Sequence, residues 1–246
     1  MRKFGLIGYP LGHSYSADFF NEMFKSEGID ATYSNYEMKS LDGLRDLVAS
    51  EGLSGFNVTI PHKVNILEQL DYLDPHADII GAVNTVVVED YDGYKALHGY
   101  NTDYVAFGRS IMPLMQAQHV SALILGTGGA AHAVAYALTQ MGIECVFVSR
   151  KPCAEGIFYK EIDDRTMKRF KIIVNCTPVG MYPKVDARPK IPYKLLTSEH
   201  LLYDLVYNPA ETKFMLAGAK YGAQVVNGLD MLHRQALLSW DLWSAQ

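Results

Sequence analysis

Cysteine is scarce. The 246 residues hold three, Cys145, Cys153 and Cys176, with no C-x-x-C spacing. An odd, scattered set gives no disulfide framework and points to a reducing compartment, where a small buried thiol is the ordinary role. The eight histidines show neither an H-x-x-x-H pattern nor a carboxylate cluster, so no metal site is expected. No apolar run approaches the length of a membrane span, and the stretch Met1–Gly8 is too short for a signal peptide. A soluble, cytoplasmic protein with no membrane partner is the expectation. Basic excess is lacking too. Lys and Arg total 22 against 27 Asp and Glu, a formal net charge of −5, which argues against nucleic acid as a partner. It leaves room for a local basic pocket. The 16 tyrosines are scattered and make no stacking platform. There is no internal repeat and no low-complexity linker.

What is present is ordinary globular material: 49% hydrophobic and 20% charged residues, in a chain long enough for two modest domains. The first hundred residues alternate strand-like and helix-like segments. Phe4–Ile7, Thr32–Glu37, Gly55–Thr59 and Ala82–Val88 read as strands. Ala17–Phe24, with Ser16 as its N-cap, and Leu41–Ser50 read as helices. Pro61 suits the first turn of a further helix through Leu70, and Asp74 can cap another. Asp92-Gly93 is a strong hairpin signal, with the return strand along Tyr94–Gly99. This predicts a small α/β domain with a mixed sheet. A helix over Thr102–Gln116 then leads into a second α/β region. There Lys171–Cys176, Leu201–Val206 and Gln224–Val226 read as strands, and Glu211–Tyr221 and Leu229–Trp243 as helices.

The stretch from Ser121 to Lys151 organises that second region. Ser121–Leu125 is an apolar run fit for a buried parallel strand. Gly126-Thr127-Gly128-Gly129-Ala130-Ala131 follows, then a helix-compatible run to Leu138, a helix-ending Gly142 and the strand Cys145–Val148. In this G-x-G-x-x-A pattern Gly126 allows a sharp turn, Gly128 leaves room for a pyrophosphate, and Ala131 lets helix and strand pack closely. Backbone N–H groups at the helix start, and the helix dipole, favour the phosphate charge. The pattern predicts dinucleotide binding. An NAD site normally places an acid after the second strand, to bond the ribose 2′-hydroxyl. Here Ser149-Arg150-Lys151 stands there. Arg offers a planar fork of donors for a phosphate monoester and Lys a second positive charge, so NADP(H) is favoured.

Polar residues at strand ends are the other candidates, because ligands in open α/β sheets bind there. Asn57, Thr59 and Lys63 lie in Asn57-Val-Thr-Ile-Pro-His-Lys63. Lys63 suits carbonyl polarisation or proton transfer, and equally an exposed first-turn lysine. Thr102 and Asp103 open a helix and could serve only as cap and dipole residues, as Ser14 and Ser16 could serve as loop and cap. Asn84, within an apolar run, needs partners if buried.

Taken together these motifs resemble the shikimate dehydrogenase family nearly end to end. The resemblance rests on Gly8-Tyr-Pro-Leu-Gly-His-Ser-Tyr-Ser16, Asn57–Lys63, Gly81-Ala-Val-Asn-Thr85, Gly99-Tyr-Asn-Thr-Asp103, Gly126–Ala130, Asn175-Cys-Thr-Pro-Val-Gly-Met181, Asp204-Leu-Val-Tyr-Asn-Pro209 and Gly228–Gln235. It implies an NADPH-dependent reductase of 3-dehydroshikimate with two domains: residues 1–101 plus 228–246 for substrate, and a Rossmann-like unit, 102–227, for NADP. The substrate is implied to lie in the cleft between them. Ser14, Ser16 and Tyr207 are implied to hold the substrate carboxylate, Thr59, Asn84 and Gln235 the ring hydroxyls, and Lys63 with Asp103 the proton chemistry at C3. Gly126, Thr127, Gly128, Gly129, Ala130, Ser149, Arg150, Lys151, Thr177 and Gly228 are implied to hold the cofactor. Monomer and homodimer both stay open.

The chain also departs from the family. Ser149-Arg150-Lys151 stands where Asn-Arg-Thr is frequent, Ala17-Asp18 replaces Pro-His, and the Lys151–Lys171 segment is short enough that a peripheral helix is expected to be reduced or missing. Two rival readings are a quinate/shikimate dehydrogenase using NAD, which Arg150 weighs against, and a nucleotide-sensing relative without turnover, which Lys63 and Asp103 weigh against.

Overall fold

The computed structural model describes residues 1–12, 15–152 and 156–245. Ser14 and Cys153 lie outside the described residues. The chain forms two compact units, Met1–Thr102 with Ala236–Gln246, and Asp103–Gln235.

The first unit is built on a six-stranded mixed sheet. Strands β1 (Arg2–Gly8), β2 (Ala31–Glu37), β3 (Leu53–Val58), β4 (Tyr72–Leu73), β5 (Thr85–Tyr91) and β6 (Tyr94–Tyr100) take the order β2-β1-β3-β5-β6-β4. β1 pairs in parallel with β2 and β3, while β3–β5 and β5–β6 are antiparallel. The hairpin turn falls where expected, with positive φ at Asp92 (52°) and Gly93 (91°), as a tight primed turn demands. Helices α1 (Tyr15–Glu27), α2 (Leu44–Glu51) and α3 (Pro75–Ile80) cover the sheet. Asp74 caps α3 by accepting from the His76 and Ala77 N–H groups. One face of the sheet packs an aliphatic core containing Leu44, Val48, Ile66 and Val86. The other is aromatic: Phe4, Phe20, Phe24 and Tyr33 close around Trp243 from the last helix, α8 (Leu229–Ser244). Trp243 is fully buried, stacks on Phe4 at 4.7 Å and donates from Nε1 to the Val86 carbonyl at 3.0 Å. It lies so close to β3 that a Cβ on Gly55 would sit 2.4 Å from Nε1.

Three local expectations are corrected here. Ser16 lies inside α1, which starts at Tyr15. Pro61 opens no helix: His62 N–H donates to the Thr59 carbonyl at 2.9 Å, closing a turn, and only a 3₁₀ segment, Asn65–Gln69, follows. Asn84 precedes β5, because Val83 N–H goes to the Lys63 carbonyl and Asn84 N–H to Tyr100, outside the β3–β5 ladder.

The second unit carries an all-parallel sheet of β7 (Ser121–Leu125), β8 (Glu144–Ser149), β9 (Gly156–Phe158), β10 (Ile172–Asn175), β11 (Leu201–Asp204) and β12 (Gln224–Val226), in the order β12-β11-β10-β7-β8-β9. Every residue of β7 is buried, as its unbroken apolar run requires. Helix α4 (Asp103–Ile111) is shorter than expected, because Pro113 cannot continue an α-helix and the chain tightens into a 3₁₀ turn. Helices α5 (Gly129–Gln140), α6 (Asp164–Arg169) and α7 (Lys213–Ala219) complete the unit. The short segment after Lys151 thus holds an edge strand and a six-residue helix capped by Asp163.

Helix α8 contributes to both units. Gly228 is set against the chain after β11, where an added Cβ would meet the Leu205 carbonyl oxygen at 2.3 Å. Its C-terminal half carries Trp243 in the first unit. The compact units meet along this helix, at Gln235–Ala236.

Candidate functional site

In the first unit the polar candidates gather where β3 ends. Thr59 N–H bonds the Ile7 carbonyl at 2.9 Å, and His62 Nε2 reaches the Met38 carbonyl at 2.6 Å, tying the 59–62 turn to the ends of β1 and β2. Lys63 follows at once, half-buried, its carbonyl held by Val83 N–H at 2.8 Å. Next along the chain Asn84 accepts at its carbonyl from Val58 N–H, also at 2.8 Å. Thr59, Lys63 and Asn84 thus share one corner. Asn84 is buried and its partners are found: Oδ1 accepts from Thr102 N–H at 2.7 Å, and Nδ2 donates to Thr102 Oγ1 at 2.8 Å. Ser16 bonds the phenol of Tyr33, whose pKa burial pushes well above its usual value. That phenol donates to Asn57 Oδ1 at 2.9 Å.

In the second unit the Gly126 turn leaves β7 with φ of 110°, a conformation that favours glycine. Its N–H holds the Val148 carbonyl at 2.9 Å, and a Cβ there would press on Thr177 Cγ2 at 3.1 Å. A Cβ on Gly128 would meet nothing within 4 Å, while Ala131 is fully buried. Thr127 and Gly128 face solvent at the start of α5, whose first N–H groups have no intrahelical acceptor. An exposed glycine turn at a helix start, with clear space at Gly128, fits a pyrophosphate lying against backbone.

Asp103, the first residue of α4, is 3% exposed. Burial raises the Cys176 thiol pKa well above its usual value, with further pushes from Asp204, Cys145 and Asp103. Tyr207 follows β11, half-buried, and Gln235 projects from α8 with Nε2 on the Leu232 carbonyl at 2.9 Å.

At the end of β8, Ser149 Oγ accepts from Lys151 N–H at 3.1 Å. Beside it opens a cavity of about 410 Å³ lined by Ser149, Arg150, Phe158, Tyr159 and Lys160. Lys160 Nζ stands 5.5 Å from the Phe158 ring centroid. No sequence pattern marks Phe158, Tyr159 and Lys160. They reach the site only through β9, a strand too short to carry a periodic signal. Lys151 is exposed and does not line the cavity.

Under the glycine turn runs a buried network. Thr177 donates to Asn175 Oδ1 at 2.6 Å, Asn175 Nδ2 to Asp204 Oδ1 at 2.8 Å, and Thr212 to Asp204 Oδ2 at 2.6 Å. Burial pushes the Asp204 carboxyl up to about 6, against the pull of Thr212, Val206 N–H and Asn175. The folded chain thus holds this proton at pH values where the unfolded chain has released it. The stability contributed by that proton is complete below pH 3.8 and is lost as pH rises through about 6. Asp204→Asn removes the group, so the stability difference between parent and variant, by urea titration at pH 4 to 7, is expected to change with pH in that sense. A constant difference would contradict the assignment.

Among the described residues no group of His, Cys, Asp or Glu could hold a metal ion, and no helix is long and apolar enough to cross a membrane.

The comparisons bear on both units. Residues 6–86 match the model of the shikimate dehydrogenase substrate binding domain. The shikimate dehydrogenase (NADP(+)) of Methanococcus maripaludis is 36% identical over 98% of this chain and 91% of its own length. Among solved structures, shikimate dehydrogenase 1 of Peptoclostridium difficile is 37% identical, covers 100% of this chain and 92% of its own, and superposes with a TM-score of 0.85. Shikimate 5-dehydrogenase of Thermus thermophilus, in complex with NADP(H) and shikimate, is 31% identical with a TM-score of 0.85, over 100% and 94% of the two chains. This chain belongs to the shikimate dehydrogenase family.

Proposed function

We propose that this chain reduces the C3 carbonyl of 3-dehydroshikimate to the hydroxyl of shikimate with NADPH, and runs the reverse reaction with NADP⁺. What carries the reading is the extent of the kinship: it covers 98% to 100% of the chain, hence the substrate corner as well as the glycine turn. Residues 1–101 with 228–246 are read as the substrate domain and 102–227 as the NADP domain.

The chain's own groups divide the work. Hydroxyls of Ser14, Ser16 and Tyr207 bind the substrate carboxylate without a strong ion pair. Thr59, Asn84 and Gln235 hold the ring hydroxyls and so fix which carbon faces the nicotinamide. Lys63 and Asp103 handle the proton at the C3 oxygen. The ammonium stabilises the negative charge that develops there and delivers the proton, and the carboxylate orients the ammonium. NADPH, when bound, supplies the hydride. Gly126, Thr127, Gly128, Gly129 and Ala130 would hold its pyrophosphate, Thr177 and Gly228 its nicotinamide end, and Ser149, Arg150, Lys151 and Lys160 its 2′-phosphate, with Phe158 and Tyr159 beside the adenine. The enzyme is read as cytoplasmic and as acting within one chain, whether monomer or homodimer.

The reading is tested by the fall of reduced-nicotinamide absorbance on mixing the chain, 3-dehydroshikimate and NADPH; no fall with NADPH or NADH would refute it. For the cofactor contact, Arg150→Ala is expected to cut the preference for NADP⁺ over NAD⁺ by about 10- to 100-fold, the size of a charge-assisted hydrogen bond. An equal loss with both cofactors would count against Arg150 as the 2′-phosphate ligand.

A further inference from the structure

The first unit buries a chain of side-chain hydrogen bonds that ends on Asn84. Tyr33 donates to Asn57 Oδ1 at 2.9 Å. Asn57 Nδ2 donates to Ser239 Oγ at 2.9 Å and divides its other hydrogen between the Asn84 carbonyl and Thr85 Oγ1, each at 3.1 Å. Ser239 and Thr85 oxygens are 2.7 Å apart, and Thr85 Oγ1 donates to Asn84 Oδ1 at 3.2 Å. Either hydroxyl can donate across the 2.7 Å contact, and both oxygens also lie 3.4 Å from Thr102 Oγ1. The side chains thus form one linked run, Tyr33 to Asn57 to Ser239 to Thr85 to Asn84. Ser239 and Thr85 are fully buried, and Asn57 and Asn84 nearly so, so a broken link leaves a polar group without water to replace it.

Asn84 Oδ1 takes protons from Thr85 and from Thr102 N–H, so its amide cannot flip, and Nδ2 stands on the Thr102 side. Asn84 thus meets a ligand as a hydrogen-bond donor. Ser239 comes from α8, 154 residues along the chain from Thr85.

We infer that Ser239 is a positioning residue for substrate: from the last helix it fixes, through Thr85, the orientation in which Asn84 donates to a ring hydroxyl of shikimate. The inference rests on the proposed function, which places Asn84 at the substrate.

The test is shikimate affinity by calorimetry, with NADP⁺ affinity measured alongside. Ser239→Ala is expected to weaken shikimate about tenfold, one buried hydrogen bond's worth, and to leave NADP⁺ unchanged. Thr85→Val keeps the β-branched shape, breaks the next link and is expected to do the same; it carries the test if the serine variant folds poorly. In an Asn84→Ala background neither change should weaken shikimate further, because both act through Asn84. Unchanged affinity in the single variants, or a full additional loss without Asn84, would overturn the inference. A parent chain that does not bind shikimate at all would instead refute the functional reading on which it stands.

Discussion

Lys63→Ala is expected to lower turnover of shikimate by about 10²- to 10⁴-fold, the usual range for a positioned proton donor, while shikimate still binds. The expectation comes from position as much as from residue type. The Lys63 carbonyl is tied to Val83, and the preceding His62 ring to Met38, so the side chain leaves a backbone fixed on both sides. Asp103→Asn is expected to fall into the same range, since an amide keeps the shape but loses the charge that orients the ammonium. The two residues act on one proton, so the double variant should be little slower than the worse single. Rates by nicotinamide absorbance, with binding by calorimetry, decide the matter. Turnover within about threefold of the parent in Lys63→Ala would remove it from the chemistry.

The largest expected effect on stability is at Trp243. Trp243→Ala is expected to cost about 3–5 kcal/mol. The ring is fully buried, stacks on Phe4, lies 5.4 Å from Phe20 and donates to the Val86 carbonyl. Truncation leaves a cavity under Gly55, where no side chain can fill it, and an unsatisfied carbonyl. For a chain of this size the loss corresponds to a fall in Tm of roughly 10 °C, read by calorimetry. A loss under about 1 kcal/mol would mean that the last helix is not held by this contact.

Much of the second unit could be read in advance because parallel strands are bare apolar runs and glycines punctuate them. Ser121–Leu125 is both the expected and the observed strand, and Gly126 and Gly142 take the positive φ that a sharp turn and a helix end require. Pattern failed where long-range hydrogen bonds decide. Ala82-Val-Asn84 is apolar enough for a strand, but its N–H groups go to Lys63 and Tyr100. Pro61 fits a helix start by φ alone, yet His62 closes a turn first. β4 and β9, of two and three residues, show no periodicity, and with β9 went Phe158, Tyr159 and Lys160. The residue types of the proposed site, from Lys63 to Arg150, can be picked out locally. Ser239 was not, since its partner Asn57 is 182 residues away in sequence.

One chain is proposed to transfer hydride between NADP(H) and C3 of a polyhydroxylated ring acid. The most direct measurement is the initial rate of nicotinamide reduction with shikimate or quinate, each paired with NADP⁺ or NAD⁺. The highest kcat/KM is expected for shikimate with NADP⁺. Faster quinate oxidation with NAD⁺, or no reduction in any pairing, would contradict it.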